Sequence, residues 1–189
     1  GGTGLGKPLK LMQHPLREHI PVYLGAEGPK NVAMSAELFD GWIPMFLSPY
    51  RMNEQYADAM RIKSADFEIA AAVPVVIDDD VDKARAAIKQ NVGFYVGGMG
   101  AKTFNVHKDH VSRMGFGDAA QEIQDLFMAG KRDQAFAAVP DQLVDEIALC
   151  GPKERIRERL QGWKDSPVTQ LNIGSGSMDT LRFFAEELL

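Results

Sequence analysis

The sequence has little cysteine and no excess of positive charge, and each shortage excludes a class of site. A single cysteine, Cys150, occurs among 189 residues, which excludes an internal disulfide and a zinc site built from several cysteines. The formal net charge is -5 at pH 7, whereas nucleic-acid-binding proteins generally carry a basic face. No apolar run approaches the roughly 20 residues of a membrane span, and the opening residues contain no signal-peptide core. We therefore expect a cytoplasmic protein that binds neither nucleic acid nor a membrane.

What is present is the composition of a globular protein. Hydrophobic residues make up 45% and charged residues 25% of the chain, which is ordinary for a soluble domain. A chain of this length can bury a sizeable core. We predict one domain over residues 1–189, with an insertion of short helices at about 101–150, where no strand is obvious.

Four apolar segments, each followed by a helical pattern, give the predicted order of elements. Short apolar runs bounded by turn residues are typical of buried parallel strands, and they occur at residues 19–26, 42–46, 69–77 and 168–173. Alternating strands and helices imply right-handed crossovers and a parallel sheet. Four such units are half of a (β/α)8 barrel. A small doubly wound sheet is the alternative, and the number of units does not separate the two.

Local signals predict where the helices begin. Gly28-Pro29 and Ser48-Pro49 are typical helix starts, since proline is tolerated in the first turn and serine can cap it. The run from Asp78 to Asp80 places negative charge at the positive end of a third helix. A last helix from Met178 is predicted to bury one apolar stripe, formed by Leu181, Phe184 and Leu188.

Residues 20–42, IPVYLGAEGPKNVAMSAELFDGW, resemble the fifth-strand region of the luciferase-like monooxygenase superfamily. The likeness is strongest to the branch that uses the deazaflavin coenzyme F-420. Residues 95–100, residues 151–156 and the closing strand are also similar to this family, while Phe39 departs from the small residue that is common before Asp-Gly. The resemblance implies an α/β fold, the luciferase-like (β/α)8 TIM barrel, of which this chain is similar to the carboxy-terminal half.

The resemblance also carries an expectation about activity. Family members have a further amino-terminal stretch with strands one to four, where most of their proton-transfer residues lie. We therefore name no catalytic acid or base here, and we expect this chain alone to be inactive. Unpaired strand edges and an apolar sheet interior invite association. We expect pairing with a second copy, as a homo-oligomer, or with the amino-terminal half.

In the family, the cofactor phosphate lies just after strand five, at the start of the next helix. By resemblance, the cofactor wall is formed by Gly25, Ala26, Glu27 and Gly28, with Lys30 and Asn31 as helpers. Helix N-termini attract anions through free N–H groups and partial positive charge. The Glu27 carboxylate would repel a phosphate, so we expect it to point away. The alternative is an ordinary strand-to-helix turn.

Other candidate residues receive structural interpretations. We expect Ser177 to cap the last helix, with the segment Gly174 to Ser177 as a secondary candidate for lining the site. No ligand set accompanies His107 and His110, so we predict a solvated helix surface rather than a metal site. Cys150 ends an apolar helical stripe and is expected to pack in the core.

The function that the resemblance implies is hydride transfer between coenzyme F-420 and a small organic substrate. In such enzymes the cofactor carries the chemistry, and the protein supplies binding and orientation. Two alternatives stay open: an FMN-dependent monooxygenase of the same superfamily, and a non-enzymatic half-barrel that serves binding or assembly.

Overall fold

The computed structural model describes residues 4, 6, 12–174 and 177–188. Within them, five strands alternate with helices: β1 (Tyr23–Gly25), β2 (Gly41–Ile43), β3 (Glu68–Ile77), β4 (Leu149–Gly151) and β5 (Gln170–Gly174). The helices are α1 (Pro29–Leu38), α2 (Met52–Ile62), α3 (Val81–Gly98), α4 (Val106–Val111), α5 (Gly117–Met128), α6 (Arg132–Ala137), α7 (Asp141–Ile147), α8 (Lys153–Lys164) and α9 (Met178–Leu188). A π-helical turn over Ser112–Phe116 connects α4 to α5.

The strand pairings in the described residues are all parallel, as the alternation of strands and helices predicts. The long strand β3 pairs with β2 at Glu68 and Ile69, with β5 along residues 70–74, and with β4 along residues 75–77. The Glu68 amide donates to the carbonyl of the residue just before β2, and the Asp78 amide donates to the last carbonyl of β4. The Ile69 carbonyl accepts from the Thr169 amide, just before β5. Because backbone groups alternate between the two edges of a strand, β2 and β4 lie along the same edge of β3.

The first strand is shorter than the sequence predicts. Residues 19–22 lead into β1 but are not part of the strand, and they are fixed by Asp40, whose backbone amide donates to the Val22 carbonyl at 3.0 Å. One Asp40 carboxylate oxygen lies 2.7 Å from His19 Nε2, and the other accepts from the Val22 amide at 2.7 Å. These contacts hold the pKa of Asp40 below its usual range, chiefly through the Val22 amide.

The interpretation of residues 101–150 as an insertion of short helices is wrong at its end, because Leu149–Gly151 form β4. Cys150 therefore lies in a strand and does not end a helical stripe, although it is buried in the core as expected. Leu149 and Cys150 continue the apolar spacing of α7, and so short a run cannot be assigned to strand or helix by periodicity. Gly151 ends the strand at φ 116°, a conformation that favours glycine.

The predicted helix starts and buried helix faces agree only in part with the structure. Asp80 caps α3 as predicted, accepting from the amides of Asp82 and Lys83. The second helix does not begin at Ser48-Pro49: residues 48–51 form a turn and α2 starts at Met52. On α9, Leu181 and Leu188 are 43% and 41% exposed, while Phe183 joins Phe184 in the core.

Buried side chains of the described residues form two clusters. The first lies between the sheet and helices α1, α2, α8 and α9, and includes Trp42, Ile69, Val73, Ile156 and Phe183. The second is built by α3 to α7, and includes Phe46, Val92, Met114, Ile123 and Leu143. Helices α4 to α7 thus pack on α3 and on the end of β2. None of the described helices is long and apolar enough to cross a membrane.

Asp145 on α7 joins three segments through arginines. It accepts from Arg85 Nη2 at 2.7 Å and pairs with Arg155 Nη2 at 2.8 Å, and its carbonyl accepts from Arg159. Burial acts to raise the pKa of Asp145, but the hydrogen bonds from Arg85 and Arg155 outweigh it and hold the pKa below its usual range. The Asp145 side chain is only 18% exposed, so this cluster is shielded from much of the solvent screening that weakens surface pairs.

Asp145→Asn should lower the free energy of unfolding by about 2–3 kcal/mol, because it removes the charged acceptor that Arg85 and Arg155 share. Urea denaturation at pH 7 measures this difference. The folded-state pKa lies below the unfolded value of about 4. The contribution of Asp145 is therefore fully present above pH of about 4 and is lost as the pH falls through the folded pKa.

The matched control is Asp58→Asn on α2, where the carboxylate is 87% exposed and pairs with Arg61. An exposed pair should contribute at most about 0.5 kcal/mol. Equal losses for the two variants would show that the Asp145 cluster is no stronger than a surface pair.

Candidate functional site

A cleft of about 480 Å³ lies beyond the carboxyl ends of β1 and β2 and is closed on its far side by α4. Its lining consists of Gly25, Ala26, Glu27, Gly28, Asn31, Ile43, Met45, Val106, His107, Asp109 and Arg113. The carboxyl ends of parallel strands are the usual ligand sites of α/β folds. The volume is within the range of about 300–1,000 Å³ that is typical of small-molecule sites.

Two glycines keep one wall of the cleft open. A Cβ atom added at Gly25 or Gly28 would meet no other atom within 4 Å. Gly28 has φ -75° and ψ 137°, an extended conformation that any residue adopts. The fold therefore does not need glycine at position 28 for its backbone, and what the missing side chain provides is room in front of α1.

Two aromatic side chains donate hydrogen bonds to carbonyl groups of the wall. Trp42 Nε1 donates to the Ala26 carbonyl at 2.7 Å, and the Tyr56 hydroxyl donates to the Glu27 carbonyl at 3.1 Å. The two rings contact each other edge to face at 4.8 Å, and both are buried. The β1–α1 loop is thus fixed by side chains of β2 and α2.

The side chains of Glu27 and His107 contact each other across the cleft. Glu27 Oε1 lies 2.7 Å from His107 Nδ1, and the side chains are only 9% and 15% exposed. The His107 ring packs edge-on against Tyr95 at 4.9 Å and Phe46 at 6.2 Å. The expectation that the Glu27 side chain points away is wrong, and so is the prediction that His107 lies on a solvated surface.

His110 is also not on the surface. It is 1% exposed, with Nε2 3.2 Å from the Phe46 carbonyl oxygen and Nδ1 3.4 Å from the Tyr56 hydroxyl. Burial lowers the pKa of His110 and raises that of Tyr56 to about 12, so both groups are uncharged at neutral pH. Within the described residues, no three His, Cys, Asp or Glu side chains come together as a metal site.

A sequence model of the luciferase-like monooxygenase family matches residues 6–170, which include both sides of this cleft. This chain belongs to that family. The predicted membership is confirmed, and the segment that carries the resemblance is the one that forms the glycine wall.

Two curated proteins are similar to this chain, and the chain matches about half the length of each. It is 43% identical over 194 residues to a putative coenzyme F-420-dependent oxidoreductase of Mycobacterium tuberculosis, covering 98% of this chain and 56% of that protein. It is 29% identical over 162 residues to a 5,10-methylenetetrahydromethanopterin reductase of Archaeoglobus fulgidus, covering 82% and 48%. The chain spans about half the length of the curated relatives it matches.

Two solved structures share the fold. The coenzyme F-420-dependent tetrahydromethanopterin reductase of Methanopyrus kandleri superposes with a TM-score of 0.64 at 20% identity, over 89% of this chain and 50% of that one. An F-420-dependent secondary alcohol dehydrogenase, solved with an F-420–acetone adduct, gives 0.62 at 17% identity, over 90% and 48%. The predicted α/β fold of the luciferase-like barrel type is confirmed.

The structure brings five of the six expected wall residues of this family member to the cleft: Gly25, Ala26, Glu27, Gly28 and Asn31. It does not bring Lys30 there. Lys30 lines a separate groove together with Glu54, Gln55 and Asp58 of α2.

Sequence reasoning missed the opposite wall of the cleft, formed by Val106, His107, Asp109 and Arg113. The sequence does contain a signal for the start of α4, because asparagine is a preferred N-cap residue. Asn105 caps α4 by accepting from the amides of His107 and Lys108. No local pattern links His107 to a glutamate 80 residues earlier.

The described part of the second candidate segment does not line this cleft. Ser175 and Gly176 are outside the described residues, whereas Ser177 precedes α9 and its carbonyl accepts from Leu181. Ser177 lines a different cavity of about 600 Å³ at the end of β3, together with Lys153 and Arg182.

Gly25→Ala and Gly28→Ala should each leave the thermal midpoint within about 3 °C of the parent protein, because the added methyl group meets open space. Gly41→Ala is the contrast. A Cβ there would lie 2.3 Å from the Tyr23 ring and 2.8 Å from the Glu68 carbonyl oxygen. Overpacking of this kind should cost about 1–3 kcal/mol or more, and circular dichroism on heating measures it. A similar loss at Gly25 or Gly28 would mean that these glycines serve packing and not the opening.

Proposed function

We propose that this chain forms part of a coenzyme F-420-dependent oxidoreductase, and that the cleft between the glycine wall and α4 holds the coenzyme. The observation that carries the proposal is the position of this cleft: it lies at the carboxyl ends of β1 and β2, in the segment similar to the family's cofactor region. The coenzyme-dependent relative that is 43% identical supports the choice of F-420.

The residues present fit a flat, partly apolar ligand. Ile43, Met45 and Val106 offer apolar surface, and the absence of side chains at Gly25 and Gly28 leaves room for a ring system to approach the backbone. Asn31 and Arg113 add hydrogen-bond donors at the rim. These features match the usual pattern of small-molecule sites, which are mostly apolar with a few directed polar groups.

The reaction that we propose is hydride transfer to or from a small organic substrate. The bound deazaflavin supplies the hydride chemistry. The residues that line the cleft would hold the coenzyme there, and the hydrogen bonds of the buried residues Trp42, Tyr56 and His110 fix the glycine wall. Precise holding of this kind is how a protein contributes to a reaction that its cofactor carries out.

Titration of the purified 20.8 kDa chain with coenzyme F-420, followed by coenzyme fluorescence, tests the proposal. We expect saturable binding without turnover of substrate. Gly25→Val should weaken binding at least about tenfold, because its side chain fills the cleft that the coenzyme needs. The matched control is Lys30→Ala, which removes a charge in the first turn of α1 but outside the cleft and should change the affinity less than twofold.

The outcomes separate the three interpretations of the sequence. Tight binding of FMN in place of coenzyme F-420 would favour a flavin-dependent monooxygenase. Binding of neither compound would favour a half-barrel that serves binding or assembly. Either result would overturn the proposal.

We also propose that the chain associates through its sheet edges. Within the described residues, β1 pairs only with β2, and β5 pairs only with β3. Apolar side chains next to these strands are exposed: Ile20 at 70%, Val22 at 52% and Ile43 at 41%. Exposed strand edges beside apolar surface are ready templates for pairing with another chain.

Sedimentation velocity at micromolar concentration should therefore show a dimer or a larger species. Val22→Lys should shift the protein toward a monomer, since lysine on an edge opposes pairing. The control is Leu38→Lys on α1, which places the same charge on a side chain that is 68% exposed away from the sheet edge. A parent protein that sediments as a clean monomer would contradict this proposal.

A further inference from the structure

The cleft has a permanently charged cation in its lining, the guanidinium group of Arg113. Of the side chains that line the described cleft, Arg113 alone carries a guanidinium or ammonium group, while Glu27 and Asp109 carry carboxyl groups. Lys30 is close in sequence to the glycine wall but lines a separate groove. A negatively charged group of a ligand therefore has Arg113 as its cationic partner in this cleft.

The Arg113 side chain reaches across to the glycine wall without forming an ion pair. Its Nη2 atom donates to the Glu27 carbonyl oxygen at 3.1 Å, one residue before the N-cap of α1. Of the Glu27 carboxyl group, Oε1 contacts His107, and Oε2 is buried without a hydrogen-bond partner in the described structure. Neither of these oxygens pairs with Arg113, and no other carboxylate of the described residues does so. A guanidinium carries several N–H donors in a planar fork, so most of them stay available to a ligand.

The backbone that carries Arg113 departs from the regular α-helix. Ser112–Phe116 form a π-helical turn, in which Gly115 has φ 90°, a conformation that favours glycine. Within this turn Met114 is fully buried, whereas Arg113 is exposed and lines the cleft. Such turns are rare in proteins and occur frequently at functional sites. The turn therefore supports a role for Arg113 in ligand binding over a purely structural one.

The start of α1 lies beside this guanidinium and adds partial positive charge. An added Cβ at Gly28 would meet no atom within 4 Å, so a ligand group can approach the backbone there. Pro29 has no N–H, however, and the first turn of α1 therefore offers one donor fewer than an ordinary helix start. A cation on the facing wall compensates for that missing donor.

We propose that Arg113 binds the phosphate group of the ligand beside the start of α1, and that it makes the cleft select phosphorylated ligands over phosphate-free ones. A guanidinium suits this task because its planar fork can donate two parallel hydrogen bonds to a phosphate. For the identity of the ligand this inference rests on the proposed function. Two ligands share the chemistry: coenzyme F-420, through its phosphodiester, and FMN, through its phosphomonoester.

The test uses two pairs of compounds that differ in the phosphate group, titrated by fluorescence into the full chain. Coenzyme F-420 is compared with its phosphate-free deazaflavin–ribitol part, and FMN is compared with riboflavin. Arg113→Gln should weaken coenzyme F-420 at least about tenfold, because charge-assisted hydrogen bonds to the phosphate are lost. The same variant should change the affinity for the phosphate-free part less than twofold.

The matched control is Arg132→Gln, which removes the same charge from an exposed arginine of α6. Its guanidinium lies 5.4 Å from the centre of the Phe127 ring and does not line the cleft, so coenzyme affinity should change less than twofold. Thermal unfolding shows whether both variants remain folded. A measurement on the parent protein is independent of folding: raising the salt concentration from about 0.05 to about 0.5 M should weaken coenzyme F-420 more than its phosphate-free part.

Failure of this inference is distinct from failure of the proposed function. If Arg113→Gln binds coenzyme F-420 as tightly as the parent protein, or weakens both members of the pair equally, the inference is wrong and the function stands. If the parent protein binds FMN in place of coenzyme F-420, and Arg113→Gln weakens FMN but not riboflavin, the function is wrong and the inference stands. A parent protein that binds none of the four compounds overturns both.

Discussion

The sheet depends on the backbone of one long strand. In the described residues, β2, β4 and β5 all hydrogen-bond to β3, and only β1 does not. Pro74 lies in the middle of this strand, where its missing N–H would break a ladder. It is tolerated because, on the β2 and β4 edge, β2 ends its pairing at Ile69 and β4 begins at Val75. The gap between those two short strands coincides with the proline.

That arrangement of β3 also determines where the cleft can form. Because β2 pairs with the first residues of β3, the carboxyl ends of β1 and β2 lie near the amino-terminal end of β3. Strand β4 pairs with the last residues of β3 along the same edge. Helix α3 leaves the top of β3 and the chain returns through α4, which lies over the open ends of β1 and β2. Glu27 and His107 meet there, although 80 residues separate them. The site is therefore a consequence of strand register as much as of the loop that contains the glycines.

Local chemistry explains which parts of this structure could be predicted from sequence. The Asp80 cap, the proline at the start of α1 and the apolar run of β3 are each specified within a few residues. The same holds for the glycine wall, because it is one continuous segment. The strand β4 could not be predicted, since its three residues continue the apolar spacing of α7 and are defined as a strand only by pairing with β3. His107 was misassigned for a related reason: its environment comes from Glu27, Tyr95 and Phe46, which local patterns do not connect to it.

The cost of the Glu27 environment supports a ligand-binding role for it over a structural one. Leaving a buried acceptor unsatisfied costs about 1–3 kcal/mol, and the fold has other ways to fix this loop, through Trp42 and Tyr56. A glutamine or an apolar residue at position 27 would hold the loop without burying a charge. Natural sequences depart from local consistency mainly at functional sites. A carboxyl group 2.7 Å from a histidine ring, in the lining of a cleft with an open glycine wall, fits such a departure.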